Sequence, residues 1–448
     1  VGVGSDVLRE QIAGELERFA VPGAGWAVIG GGEIVGAGAA GVVDATGGVE
    51  VSTGTLFQAC SISKPVTVFA MLRLVDRGLL ELDEDVNRRL TSWQVPQTGN
   101  WQPVVTLRQL ATHSAGLTVH GFPGYSSGEP LPTTVQILDG VRPTNTFGVR
   151  VDTVPGAQFR YSGGGTVVLQ QLLEDVTGTP FRELVRELVL EPSGMADSDY
   201  AQPLPDDLHE RAATAHDEQG LAIPGRWHSY PELAAAGLWT TPSDLCRFAL
   251  AVQAAYVGAD GALLSPELGR EMLTPQVRAS DRLGGLNHLG LGVFLGAGGV
   301  RFGHSGGNRG FKCHLLADRE SGVGAAVMTN GDNGMWVVQR AFAALASAYG
   351  WSGYDEPLDD WDVPGDDVLD GLVGKYRLRD GFGFVVDRLG GGVEVTFDGQ
   401  EPMRFIPVDG STFASSMVSA RLRLRGDDLV FEQNGEQLEC SRDDRDRE

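Results

Sequence analysis

Ser61 and Lys64 stand three residues apart in Ser61-Ile62-Ser63-Lys64, a spacing that puts both side chains on one face of a helix and an amine beside a hydroxyl. A serine hydroxyl is a poor nucleophile until a neighbour takes its proton, and a lysine withdrawn from water loses enough basicity to do so. The flanks, Phe57-Gln58-Ala59-Cys60 before and Pro65-Val66 after, are largely apolar, a poor setting for a solvated ammonium. Pro65 is compatible with a helix only near its start. A helix beginning at Ser61 leaves the backbone N–H of Ser61 without an intrahelical partner and able to face an oxyanion. The chemistry implied is acyl transfer through a serine ester.

The elements that must hold this pair follow from periodicity. Val7, Leu8, Ile12, Leu16 and Phe19 among charged residues predict an amphipathic first helix. Residues 25–41, interrupted by Gly30-Gly31-Gly32, read as a β-hairpin. Helical spacing of Val66, Phe69, Ala70, Leu72 and Leu74 predicts a helix over 61–80, closed at Arg77-Gly78. A short helix is expected near 105–117, then a Pro- and Gly-rich loop to about residue 132 of the kind that often borders sites. Further helices are predicted at 165–177, 180–190, 242–256 and 336–349, and strands at 299–303, 310–317 and 322–330. The acidic stretch 354–364 reads as a linker. Beyond it, residues 365–448 alternate in short strands around 382–386, 393–397, 421–425 and 429–432, a small all-β accessory domain.

At 448 residues with 42% hydrophobic and 21% charged side chains, the chain can bury a large core. Its formal net charge of −24 excludes the basic field on which nucleic-acid and anionic-membrane binding rely. No apolar run approaches the roughly 18 residues needed to span a bilayer. No secretion signal is recognisable, which makes a cytoplasmic location the expectation, with a removed leader as the alternative. The four cysteines, Cys60, Cys246, Cys313 and Cys440, are scattered, and His209, His216, His228, His288 and His314 lack metal-ligand spacing, so neither metal nor cofactor is implied.

Several segments in order resemble one family: Ser61-Ile62-Ser63-Lys64-Pro65, Leu79 to Val86, Leu110-Ala111-Thr112-His113-Ser114-Ala115-Gly116-Leu117, Ala235 to Asp244, and Gly303-His304-Ser305-Gly306-Gly307-Asn308. Over roughly residues 8–350 the chain resembles the serine β-lactamase, penicillin-binding protein and D-peptidase superfamily, most of all its class C-related esterases and peptidases. The resemblance implies an antiparallel sheet flanked by helices with a helical lobe, an α/β (α+β) fold, and for the tail a lipocalin-like β-barrel.

It also implies roles. The family's Tyr-x-Asn motif aligns with Tyr161-Ser162-Gly163, which makes Tyr161 a general base or proton shuttle polarised by Lys64. Gly163 stands where the family has an amide that contacts the lysine and the acyl side of the substrate. The Lys-Thr-Gly motif appears as His304-Ser305-Gly306, with Gly307 supplying the oxyanion N–H beside that of Ser61. His304, unlike lysine, can be neutral near pH 7. Gly163, Ser305, Gly306, Tyr125 and Trp239 are expected to border the substrate, with His120 and Phe122 as further candidates on the loop over the site. His113 and Ser114 are expected to hold a buried turn.

The function expected is a serine hydrolase acting on an ester or an amide or peptide bond through an acyl-enzyme on Ser61, an esterase or a peptidase of D-amino-acid type. Alternatives are a peptide cyclase or acyltransferase, a β-lactamase or DD-peptidase, and a silent binder of peptides or wall fragments. The partner expected is a small-molecule or peptide substrate, and self-association into a homo-oligomer is left open.

Overall fold

The structure, a computed structural model, describes residues 4–279, 285–351, 366–379, 382–389, 392–400, 402–407, 411–415, 420–425, 428–433 and 436–442. It divides into two compact units, Val1–Tyr354 and Asp355–Glu448. The stretch 354–364 read as a linker lies outside the described residues.

In the first unit, α1 (Gly4–Arg18) leads into a hairpin of β1 (Gly23–Gly30) and β2 (Glu33–Gly41). Gly31 and Gly32 take φ of 61° and 84°, the two left-handed conformations that a two-residue hairpin turn needs and glycine adopts without steric cost. Leu8, Ile12, Leu16 and Phe19 are buried, but Val7 is exposed. One residue of helix turns the side chain about 100° away from the stripe that Leu8 begins, so Val7 leaves the apolar face.

The hairpin forms one side of an eight-stranded sheet of order β2-β1-β10-β9-β8-β7-β6-β5. The other members are β5 (Val277–Arg278), β6 (His288–Leu289), β7 (Phe294–Leu295), β8 (Arg301–Asn308), β9 (Phe311–Asp318) and β10 (Gly324–Thr329), and every neighbouring pair is antiparallel. β1 is buried along nearly its whole length because α8 (Pro242–Val257) covers one face while α1 and α10 (Gly334–Tyr349) cover the other. β8 runs five residues past the expected strand end at 303. Its Gly-rich end resembles a turn in sequence, yet pairing with β9 continues to Asn308 opposite Phe311.

A helical lobe lies on the α8 side. It contains α2 (Ser63–Asp76), α3 (Leu107–Ala111), α4 (Thr134–Asp139), α5 (Gly163–Thr177), α6 (Phe181–Val185), α7 (Leu233–Ala236) and α9 (Pro266–Met272). α2 is buried almost all round, packing on α5, α6 and α7 and meeting α8 through Phe69 against Phe248, ring centroids 5.7 Å apart. The short strands β3 (Phe57–Gln58) and β4 (Trp239–Thr240) pair just before the Ser61 turn. Caps set the helix starts: Thr106 and Thr133 form capping boxes with Gln109 and Gln136, and the Ser162 hydroxyl accepts the Gly165 N–H at 2.9 Å.

The second unit contains α11 (Asp366–Leu372) and a closed antiparallel barrel. Its strands are β11 (Gly374–Arg379), β12 (Phe382–Leu389), β13 (Gly392–Phe397), β14 (Met403–Pro407), β15 (Thr412–Ser415), β16 (Ala420–Arg425), β17 (Asp428–Gln433) and β18 (Glu436–Arg442). Phe384, Val386, Val393, Val395, Phe405, Phe413, Leu422 and Leu429 fill it. Alternation along each strand places these apolar residues on one side, and closure removes the unpaired edges.

Candidate active site

Ser61 lies in a 3₁₀ turn, Cys60–Ile62, that runs directly into α2; the α-helix proper begins two residues later than Ser61. Cys60 takes a φ of 52°, a left-handed conformation that costs a non-glycine residue about 1–2 kcal/mol. Local bonds hold it: the Cys60 thiol donates to the Gln58 carbonyl at 3.2 Å, and the Cys60 carbonyl accepts from Ser63 Oγ at 2.6 Å. Ser63 Oγ also accepts the Leu238 N–H at 3.1 Å. The turn is thus pinned to the segment that follows α7, and Ser61 is left half-buried.

One helical turn on, Lys64 Nζ donates to Ser61 Oγ at 2.9 Å and to the Ala235 carbonyl at 2.8 Å. Thr67 Oγ1, which donates to the Ser63 carbonyl at 2.9 Å, also lies 3.2 Å from the Ala234 carbonyl, so consecutive carbonyls of α7 face Lys64 and Thr67, one turn apart on α2. Lys64 is 4% exposed, and burial pushes its pKa down to about 7, because a charged amine is penalised where water cannot reach it. The amine can therefore be neutral, and accept a proton, at ordinary pH.

Lys64 Nζ also lies 5.0 Å from the ring centroid of Tyr161. Tyr161 packs against two histidines, with ring centroids 4.3 Å from His113 and 4.9 Å from His120. His113 is buried and has a φ of 49°, and its Nδ1 accepts the Ser162 N–H at 3.2 Å. Burial, then the charges of Lys64, His304 and His120, hold its pKa well below the usual histidine range, so it stays neutral beside the amine. The turn-holding role expected of His113 corresponds to its bond to Ser162. The structure adds its ring contact with Tyr161, which joins positions 48 residues apart and has no signature in local spacing.

β8 brings the third motif against the Ser61 turn. A Cβ at Gly306 would lie 2.6 Å from the Ala59 carbonyl oxygen, 3.0 Å from Cys60 Cβ and 2.5 Å from Cys313 Sγ, so only glycine lets strand and turn approach this closely. Gly307, next along, is exposed. His304 is buried, its Nδ1 donates to the Ser305 carbonyl at 2.6 Å, and its ring packs edge-on to Phe294 at 5.1 Å and lies 6.3 Å from Tyr161. Asn308 Nδ2 donates to Gln58 Oε1 at 2.7 Å and to the Ala236 carbonyl at 3.2 Å, tying the strand to both β3 and α7.

Three of the residues expected to border a substrate stand elsewhere. Trp239 is fully buried between Trp227 and Phe311, ring centroids 5.1 and 5.7 Å away, so no surface is left for a ligand. Tyr125 is 2% exposed, its hydroxyl bound to Thr144 at 3.3 Å. Ser305 Oγ meets His314 Nδ1 at 2.8 Å, and His314 packs on Phe342 of α10, the sheet face away from α8. Strand alternation sends Ser305 there once His304 faces Tyr161.

A protein-family model for Beta-lactamase matches residues 8–350. The chain belongs to the beta-lactamase family. Among curated relatives of this beta-lactamase-family chain, esterase EstB of Burkholderia gladioli is 32% identical over 197 residues, covering 42% of the chain and 48% of the esterase, about half its length. Penicillin-binding protein 4 of Amycolatopsis lactamdurans is 27% identical, covering 69% and 81% respectively. Of solved structures, the octameric penicillin-binding protein homologue from Pyrococcus abyssi superposes with a TM-score of 0.65 at 21% identity, covering 97% of this chain and 99% of that one. D-amino acid amidase from Ochrobactrum anthropi SV3, complexed with L-phenylalanine amide, gives 0.62 at 22%, covering 78% and 100%. These two structures establish the fold. Family and relatives together point to serine hydrolase chemistry. Among the described residues no helix is long and apolar enough to cross a membrane.

Proposed function

We propose that the chain hydrolyses an ester or amide through an acyl-enzyme on Ser61. The observation that carries this is the 2.9 Å contact between Ser61 Oγ and Lys64 Nζ, made by an amine whose pKa burial lowers to about 7. Neutral Lys64 takes the hydroxyl proton as Oγ bonds to the substrate carbonyl carbon. The carbonyl oxygen becomes an oxyanion received by the N–H groups of Ser61 and Gly307, a reading supported by the close approach of β8 to the Ser61 turn at Gly306. Collapse breaks the bond to the leaving group, which departs with the proton by way of Lys64 and Tyr161. Water repeats the sequence on the acyl-enzyme, releasing a carboxylic acid and restoring the Ser61 hydroxyl.

His304 in the third motif and Gly163 in the second favour an ester or a D-amino-acid amide over a β-lactam. An imidazole, which can lose its charge near pH 7, is a weaker fixed anchor than lysine for a substrate carboxylate, and Gly163 offers no side-chain amide. The esterase relative supports the ester side of this reading. The test is turnover of phenyl esters and of D-amino acid anilides by the parent and Ser61→Ala: the parent hydrolyses at least one of the two classes and the variant neither. Hydrolysis by Ser61→Ala at the parent's rate refutes the assignment.

A further inference from the structure

We propose that Phe122 sets the acyl-chain preference of the Ser61 site by filling the space that a side chain at position 163 would need. The site thereby offers an aromatic ring, instead of a hydrogen-bonding amide, to the acyl side of a substrate. This deepens the acyl-enzyme reading of Ser61 and rests on it.

Gly163 is the first residue of α5, two positions after Tyr161. A Cβ built there would lie 2.9 Å from Phe122 Cε2, 3.4 Å from Phe122 Cδ2 and 3.2 Å from the His120 carbonyl oxygen. The first of these distances is one that real Cβ atoms do not tolerate, so any side chain at 163 must displace the ring. The loop that leads to Phe122 is held to the start of α5 by its backbone. The Gly163 N–H donates to the His120 carbonyl and the Gly164 N–H to the Val119 carbonyl, each at 3.0 Å, and Ser162 Oγ donates to the Thr118 carbonyl at 2.7 Å. A Cβ at Gly164 would meet the Thr118 carbonyl oxygen at 2.8 Å, so both glycines are needed for the loop to lie flat on the start of α5.

The loop also carries strain. Val119, a β-branched residue, holds a φ of 64°, a conformation that persists only where the surroundings enforce it. Strain held by that many bonds, in a loop that places His120 against Tyr161 and Phe122 against Gly163, marks the loop as part of the site's wall. Phe122 itself is half-buried and packed on the main core, and its Cε2 and Cδ2 are the ring atoms nearest the position a side chain at 163 would take.

An aromatic edge provides contact area for an apolar chain but no partner for an amide N–H or C=O. An amide desolvated against it is left unpaired, at a cost of about tenfold or more in kcat/KM. The acyl groups favoured are therefore unsubstituted apolar chains, and those disfavoured carry an amide near the reacting carbonyl.

The experiment compares phenyl pentanoate with N-acetylglycine phenyl ester, which share a leaving group and differ by an amide in the acyl chain. Both are assayed with the parent, Phe122→Ala, Gly163→Asn and the double variant, with fluorophosphonate labelling of Ser61 followed in each. The parent should prefer the pentanoate by about tenfold. Phe122→Ala should shrink that preference, and Gly163→Asn alone should slow both esters because Asn collides with the ring. The double variant should recover labelling and favour the N-acetylglycine ester, the non-additivity expected of touching residues. Gly163→Asn matching the double variant, or an ester ratio unchanged in Phe122→Ala while Ser61 still labels, overturns the role of Phe122. A parent that does not label at Ser61 overturns the acyl-enzyme reading, and the assignment of Phe122 with it.

Discussion

Lys64 Nζ donates to Ser61 Oγ across 2.9 Å while its other hydrogen bond goes to the neutral Ala235 carbonyl at 2.8 Å. A lysine salt-bridged to a carboxylate would keep its proton. Held by a hydroxyl, a carbonyl and the face of the Tyr161 ring, this one is free to lose it, and burial drives the loss.

Replacing Lys64 should separate activity from stability. Lys64→Met removes the base, and Lys64→Arg keeps a cation that does not deprotonate. Each should lower kcat/KM on a phenyl ester by about 10²–10⁴-fold, the usual worth of a positioned base. Lys64→Met should also melt at or above the parent's temperature at pH 6, because it removes a buried charge. Esterase assay and thermal melts on the same samples check both.

The pH dependence has a defined sign. Acylation needs the neutral amine, so kcat/KM should climb as pH rises through about 7 and level off above it. Stability follows the same group: its folded pKa lies below the ordinary 10.5 of lysine, so between about 7 and 10.5 the unfolded chain binds the extra proton. This group's contribution therefore makes stability increase with pH across that window, and the penalty of the buried charge is fully present below it. Phosphonylation rates of the parent, measured from pH 5.5 to pH 9, should show the limb near pH 7.

Gly306→Ala should act on the site through the backbone. Its new methyl would meet the Ala59 carbonyl, Cys60 and Cys313 at 3.0 Å or less, driving β8 away from the Ser61 turn. Overpacking of this kind costs about 1–3 kcal/mol, and the labelling rate of Ser61 should fall further than Gly307→Ala makes it fall. At Gly307 a Cβ finds only Lys312 Cδ at 3.4 Å and Cε at 3.7 Å. Melting temperature and labelling rate, taken together, test the pair.

His113→Ala should leave the buried Ser162 N–H without its acceptor and remove one wall from Tyr161. The unsatisfied donor costs about 1–3 kcal/mol. His113→Asn, able to accept the same hydrogen bond, should recover most of the stability but not the ring packing, so its melting temperature should approach the parent's while its kcat stays well below.

Much of this was legible in the chain. The i, i+3 spacing of Ser61 and Lys64, the glycines of the β1–β2 turn and the apolar face of α2 each follow from local rules, and the structure realises them. What local rules miss is distance along the chain. The tilted packing of Tyr161 against His113 and His120 joins segments separated by more than forty residues. Trp239 sits three residues before α8 starts and reads as pocket-lining, yet edge-to-face packing on Trp227 and Phe311, both distant in sequence or across the fold, buries it. The short strands β3 to β7 span two residues each, too few to show a period. Ser61 lies in a 3₁₀ turn because Cys60 adopts a left-handed conformation, which nothing in the residue type of a cysteine announces.

Intact-protein mass spectrometry after brief exposure to a fluorophosphonate tests the nucleophile directly, with Ser61→Ala treated in parallel. One adduct per chain, mapped to the peptide containing Ser61 and absent from the variant, is the result predicted. An unmodified parent, or an adduct that persists in Ser61→Ala, contradicts the assignment of Ser61.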